Sequence, residues 1–182
     1  KDFADLATRQ AIDTALHRLQ KAGTVRRIMR GVYDAPVTGK ITGRTLGPDT
    51  WSVAQAIARK NGWRILPSGE TALNALGLST EVPGTHVFYT VGRSREYILG
   101  TQRIVFRKRS PRDLQGADGI SALVTQALKA LGPDHIDASV VRVLRNRLSS
   151  QQQHELLRDT QYGTGWVHDA VKRICSTEGE HG

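Results

Sequence analysis

A chain of 182 residues with 38% hydrophobic and 24% charged residues has the composition of an ordinary folded protein. No apolar run nears the roughly 20 residues that cross a bilayer, no segment reads as a secretory signal, and the single cysteine, Cys175, excludes an internal disulfide framework. The net charge of +9 is uneven: residues 1–60 carry 11 Lys/Arg against 5 Asp/Glu, residues 61–113 carry 8 against 4, and residues 114–182 carry 7 against 8. A polyanion partner is therefore expected on the first two-thirds of the chain, with no membrane partner and a reducing, cytoplasmic setting.

The first segment, Asp2–Leu6, reads as a short helix, and because the chain enters it at once, native residues are expected to precede Lys1. Thr8 can cap the next helix, over Arg9–Ala22, where Ile12, Ala15, Leu16 and Leu19 recur at the spacing of one helical face. Gly23 stands where a left-handed cap closes a helix. The period then changes: Thr24–Met29 and Val32–Asp34 read as strands of a hairpin turning at Arg30-Gly31. Residues 37–49, rich in Gly, Thr and Pro, read as a linker or crossing loop, and the domain boundary is expected there. Asp49 or Thr50 then caps a helix to about Lys60, with Trp51, Ala54, Ile57 and Ala58 inward, and Ser68 caps another through Leu76, closed by Gly77. Three strands follow as a meander, His86–Val91, Arg95–Leu99 and Gln102–Lys108. Helices are expected near Ile120–Leu131, Ala138–Leu148, Gln151–Thr160 and Trp166–Ser176.

Opposite the apolar stripe of the second helix stand Gln10, Asp13, Thr14, His17 and Lys21, flanked by Arg9 and Arg18. These side chains suit base edges and phosphates: Gln pairs with adenine, Arg with guanine, and Asp accepts from cytosine. The hairpin adds Arg26, Arg27 and Arg30, so five Lys/Arg and no carboxylate lie between His17 and Arg30. Short helix, amphipathic helix, basic hairpin is the order of a winged helix-turn-helix, whose second helix enters the major groove of double-stranded DNA. Such a unit normally has one more helix ahead of it, which agrees with residues missing upstream.

The segment KDFADLATRQAIDTALHRLQKAGTVRRIMRGVYDAP resembles the N-terminal winged helix of the AbiEi-type antitoxins of bacterial abortive-infection (type IV toxin–antitoxin) systems. The likeness extends over roughly residues 2–114 through Pro67-Ser68-Gly69, Asn74, Leu76-Gly77-Leu78 and Val82-Pro83, and is loose in the helical tail. It implies a transcriptional repressor that autoregulates its operon and opposes a nucleotidyltransferase-like toxin, with or without direct contact. A protein-interaction module with weak nucleic-acid affinity is the competing class.

A second basic constellation comprises Arg103, Arg107, Lys108, Arg109 and Arg112, with Arg93 and Arg95 on the preceding strand. Alternation puts Arg103 and Arg107 on one face and Ile104 and Phe106 on the other, a surface for nucleic acid or protein or simply a charged edge. Arg142, Arg145 and Arg147 read as the solvated face of a helix whose core positions are Val140, Val143, Leu144 and Leu148. Gly39-Lys40 lacks both the Ser/Thr and the upstream glycine of a P-loop. Glu70, Glu81 and Glu96 lack metal-nuclease spacing, the six histidines show no ligand pattern, and Ser68 reads as a helix cap. The expectation is thus a non-enzymatic α+β protein without metal or cofactor. It comprises a winged helix-turn-helix at 1–36, a linker at 37–49, and at 50–182 a domain of helices, a small antiparallel sheet and a helical tail.

Overall fold

In the computed structural model, which describes residues 3, 5–39, 43–81, 83–114 and 118–176, the first helix, α1, spans Arg9–Lys21. Thr8 caps it, its Oγ1 accepting from the Ala11 N–H at 3.4 Å, and Gly23 at φ +72° closes it. Ahead of α1, the Leu6 N–H donates to the Phe3 carbonyl at 3.1 Å in a single turn where a helix was expected; Asp2 and Ala4 lie outside the described residues. No residue of α1 is buried: Ile12 and Leu16 are half-buried, and Leu19 is 41% exposed.

The hairpin pairs β1 (Arg26–Met29) with β2 (Val32–Asp34), and Gly31 at φ +74° takes the left-handed corner that a side chain resists. Its register is Arg26 to Asp34, Arg27 to Tyr33 and Met29 to Val32, so Ile28 is an extra residue in a bulge. Residues 37–46 close on themselves: Thr38 bridges Thr45, and the Leu46 N–H donates to the Val37 carbonyl at 2.8 Å. Residues 40–42 of this segment lie outside the described set. Helix α2 (Thr50–Asn61) starts where Asp49 accepts from the Ser52 N–H at 2.9 Å and ends at Gly62. Its face of Val53, Ala54, Ile57 and Ala58 is buried, and it packs on β2, where Val32 is buried too. The first compact unit therefore runs through Trp63 and includes α2, beyond the boundary expected at 37–49. An apolar face of that size needs cover, and the hairpin supplies it.

The second unit, residues 64–182, holds a four-stranded sheet. Its strands are β3 (Ile65–Pro67), β4 (Thr85–Thr90), β5 (Arg95–Leu99) and β6 (Gln102–Lys108), and α3 (Gly69–Ala75) links the first two. The order is β3-β4-β6-β5, with β4 and β6 parallel. The expected antiparallel sheet is thus corrected to a mixed one. β5 and β6 form the hairpin their turn dictates, but β6 then inserts beside β4, which aligns Phe88 with Phe106 and His86 with Ile104 on one buried face. The chain is α+β.

Helix α4 (Gly119–Leu131) buries Ala122, Leu123, Val124, Ala127 and Leu128 and packs against α3, β3 and two later helices, α6 (Ser150–Thr160) and α7 (Gly165–Cys175). Between α4 and α6 lies α5 (Ala138–Arg147), and 3-10 turns stand at Pro111–Leu114 and Pro133–His135. Two arginines expected on the solvated face of α5 are instead used inside the fold. Arg145 donates from Nε to the Ile174 carbonyl (3.0 Å) and from Nη2 to the Arg173 carbonyl (2.8 Å), at the end of α7. Arg147 donates to the Ala75 carbonyl at 2.8 Å, at the end of α3. Free carbonyls at helix C-termini attract cations of this kind.

A Cβ added at Gly69 would lie 2.6 Å from the Ala130 Cβ, so α3 and α4 touch where only hydrogen fits. Gly69→Ala is expected to cost about 1–3 kcal/mol through overpacking, more than the ~0.5–1 kcal/mol that alanine returns as a better helix former. A urea midpoint equal to or above that of the parent chain would contradict this contact. Burial pushes the Cys175 thiol above its ordinary range, against the opposing charge of Arg145. The neutral thiol is favoured in the folded chain, so its contribution to stability is complete at neutral pH and lost as pH rises through the raised value. Cys175→Ser should make the alkaline decline in melting temperature shallower; an identical decline would contradict the assignment.

Candidate nucleic-acid interface

Because no residue of α1 is buried, its polar face stands clear of the rest of the first unit. Arg9, Gln10, Asp13, Thr14 and His17 line one shallow, open depression, and Arg18 joins Thr8, Gln10 and Thr14 around a second. The expected reading residues are therefore contiguous along α1, with Lys21 exposed in its last turn. Arg9 Nε and Asp13 Oδ2 stand 4.0 Å apart with side chains 92% and 70% exposed, a pair worth almost nothing in water, so both remain available to a ligand. Thr14 Oγ1 donates to the Gln10 carbonyl at 2.9 Å, which leaves its hydroxyl as an acceptor only.

On the hairpin the three arginines separate. Arg26 donates from Nε and Nη2 to the Asp34 Oδ2, at 2.8 and 2.6 Å, across the two strands. Arg26 is thereby a staple of the hairpin rather than an exposed cation. Arg27 and Arg30 are exposed, Arg30 at the turn. Sequence reasoning passed over Lys60 near the end of α2: its Nζ donates to the Arg30 carbonyl at 2.5 Å and lies 3.6 Å from where a Gly31 side chain would begin. Its ammonium sits at the hairpin tip, thirty residues on in the chain, a position that only the packing of α2 on β2 reveals. The tip thus carries Arg30 and Lys60, with Arg27 further back on β1 opposite Tyr33.

The remaining candidates fall elsewhere. Ser68 Oγ accepts from the Thr71 N–H at 3.3 Å and donates to Thr71 Oγ1 at 2.9 Å, the geometry of a helix cap. Arg103 on β6 pairs with Glu96 at 3.0 Å. Arg93, Arg95, Arg107 and Arg109 are exposed in the second unit, and the side chain of Arg112 lies outside the described set. No group of three or more His, Cys, Asp or Glu placed to hold a metal occurs among the described residues, and no helix there is long and apolar enough to cross a membrane.

Residues 1–156 match the model of a family described as of unknown function, DUF6088. The chain belongs to the DUF6088 family. No curated protein and no solved structure matches it.

The arginine split yields a test. Arg26→Ala should lower stability by about 1 kcal/mol, since it breaks a partly buried pair and leaves Asp34 alone. Arg27→Ala should leave the unfolding midpoint within about 0.5 kcal/mol, as surface substitutions do. Equal effects of the two on a denaturant midpoint would contradict the division of labour.

Proposed function

We propose that the chain is a sequence-reading DNA-binding protein with a winged helix-turn-helix in its first unit, α1 as recognition helix and β1–β2 as wing. The observation that carries this is the wholly exposed polar face of α1, followed by a hairpin with Arg30 and Lys60 at its tip, Arg27 exposed on β1, and its one carboxylate already held by Arg26. In the major groove, Gln10, Asp13, Thr14 and Arg18 face base edges, while Arg9, His17 and Lys21 lie toward phosphates. Arg27, Arg30 and Lys60 then meet the neighbouring backbone as point charges. The AbiEi resemblance extends this to a repressor that autoregulates a toxin–antitoxin operon in the bacterial cytoplasm. Its second unit would then oppose a nucleotidyltransferase-like toxin.

The partly exposed stripe of Ile12, Leu16 and Leu19 favours a second reading, a protein-interaction module whose basic helix has only weak, unselective affinity for nucleic acid. One experiment separates the two. A preferred duplex is selected from a random pool, and binding to it and to a scrambled duplex is measured for Gln10→Ala, Arg18→Ala and Arg27→Ala/Arg30→Ala. Removing a side chain that reads a base should cost about 1–3 kcal/mol on the preferred duplex and much less on the scrambled one. The wing variant should weaken both and flatten the dependence of log K on log salt by roughly 0.9 for each phosphate no longer neutralised. A pool that yields no preferred sequence, with all variants equal on both duplexes, would establish the interaction module instead.

A further inference from the structure

Three strand ends meet at one end of the sheet in the second unit. β4 finishes at Thr90, β6 finishes beside it at Lys108, and β5 begins at Arg95, paired with Phe106. The backbone ties them: the Arg109 N–H donates to the Thr90 carbonyl at 2.8 Å, and the Lys108 N–H donates to Ser94 Oγ at 3.0 Å. Arg93, Arg95, Arg107, Lys108 and Arg109 are thereby gathered at this end, all exposed. Glu96, the carboxylate on these strands, is held by Arg103 at 3.0 Å.

The adjoining sheet face has its own character. Strand alternation and register put His86, Phe88, Thr90, Ile104 and Phe106 on the buried face, and Val87, Tyr89, Val105, Arg107 and Ile98, together with the Glu96–Arg103 pair, on the opposite one. No residue of this opposite face is buried, and Ile98 is 75% exposed. The Arg109 guanidinium lies over the Tyr89 ring, 5.0 Å from its centroid, and Arg107 is the cross-strand partner of Tyr89. This side of the sheet therefore offers a planar cation on an aromatic ring, Arg107 next to it, and an aliphatic surface of Val87, Val105 and Ile98 crossed by the Glu96–Arg103 pair, while Arg95 and Lys108 alternate to the other side at the same end.

We propose that this face binds a single-stranded nucleic acid, with Arg107 on a phosphate and the Tyr89–Arg109 pair against a base and its phosphate. The charge calls for a polyanion, and the planar stack selects among polyanions. Unpaired bases lie on aromatic and guanidinium planes, whereas a duplex keeps its bases inside and presents phosphates alone. An acidic protein would satisfy the charges but leave the stack without a role. These residues belong to the other unit of the chain from the wing and α1, so the two assignments can fail independently.

The test uses the full chain carrying Arg27→Ala/Arg30→Ala, to remove the wing, and fluorescence anisotropy with three probes. These are oligouridylate and oligodeoxythymidylate of about 20 nucleotides and a duplex of about 20 base pairs, long enough to span one sheet. Both single strands should bind more tightly than the duplex, and the tighter of the two names the natural strand chemistry. Arg107→Ala/Arg109→Ala should weaken single-strand binding at least tenfold and flatten its salt dependence by about 0.7 for each phosphate left without its arginine. Tyr89→Leu should weaken it about tenfold with the salt slope unchanged, while Tyr89→Phe retains binding. Circular dichroism checks that each variant is folded, and the exposed arginine pair supplies a test if Tyr89→Leu is not. Duplex binding as tight as single-strand binding and equally sensitive to the arginine pair would overturn the proposal. So would polyglutamate of matched charge displacing the oligonucleotides as well as they displace each other, or an arginine pair without effect.

Discussion

Helix α4 sets the terms for the second unit because it is apolar on more sides than one neighbour can cover. Leu123, Val124, Ala127 and Leu128 are buried among α3 and β3 at one flank and α6 and α7 at the other. A helix of this kind forces a layered solution, with strands on one side and helices on the other. The approach of α3 to within hydrogen-sized clearance at Gly69 and Ala130 shows how closely one flank is filled. Once helices occupy one face of the sheet, the opposite face, with Tyr89 and Arg107, is left to solvent or a ligand.

The arginines divide into two populations that the net charge of +9 conceals. Arg26, Arg64, Arg103, Arg145 and Arg147 close contacts within the fold: three pair with carboxylates, and two satisfy carbonyls at helix ends. Of the exposed ones, Arg9 and Arg18 lie on α1, Arg27 and Arg30 on the hairpin, and Arg93, Arg95, Arg107 and Arg109 around the end of the sheet in the other unit. A basic surplus is thus better read from the cations that internal acids and carbonyls leave over than from the total.

Local chemistry made most elements legible. Thr8, Asp49 and Ser68 cap the helices they precede, and Gly23, Gly62 and Gly77 take the left-handed turns that end them. The hairpin was legible from Arg30-Gly31, and the β5–β6 strands from their alternation. What escaped depends on long-range partners. Ile65–Pro67 is three residues with no alternation to detect, and it is a strand because Tyr89 and its neighbours offer an edge. The parallel pairing of β4 with β6 leaves no trace in either strand's own pattern. On the hairpin, regular pairing about a two-residue turn would set Arg27 against Asp34; the bulge at Ile28 puts Arg26 there instead. A single inserted residue thus decides which of two adjacent arginines is neutralised, and composition could not have distinguished them.

The placement of β6 between β4 and β5 also bears on how the sheet is made. β5 and β6 are joined by a tight turn at Gly100 and can pair as soon as both exist, whereas β4 precedes its central partner by the whole length of that hairpin. During synthesis β4 has only the three-residue β3 beside it until Lys108 has left the ribosome, and one of its edges stays open meanwhile. Pairing β4 with β6 then requires closing a loop that contains the whole of β5, a more costly closure than that of the β5–β6 turn. An open edge in a nascent chain invites pairing with another copy, and the run of arginines at the end of β6 gives newly made chains a mutual repulsion at that stage of their assembly.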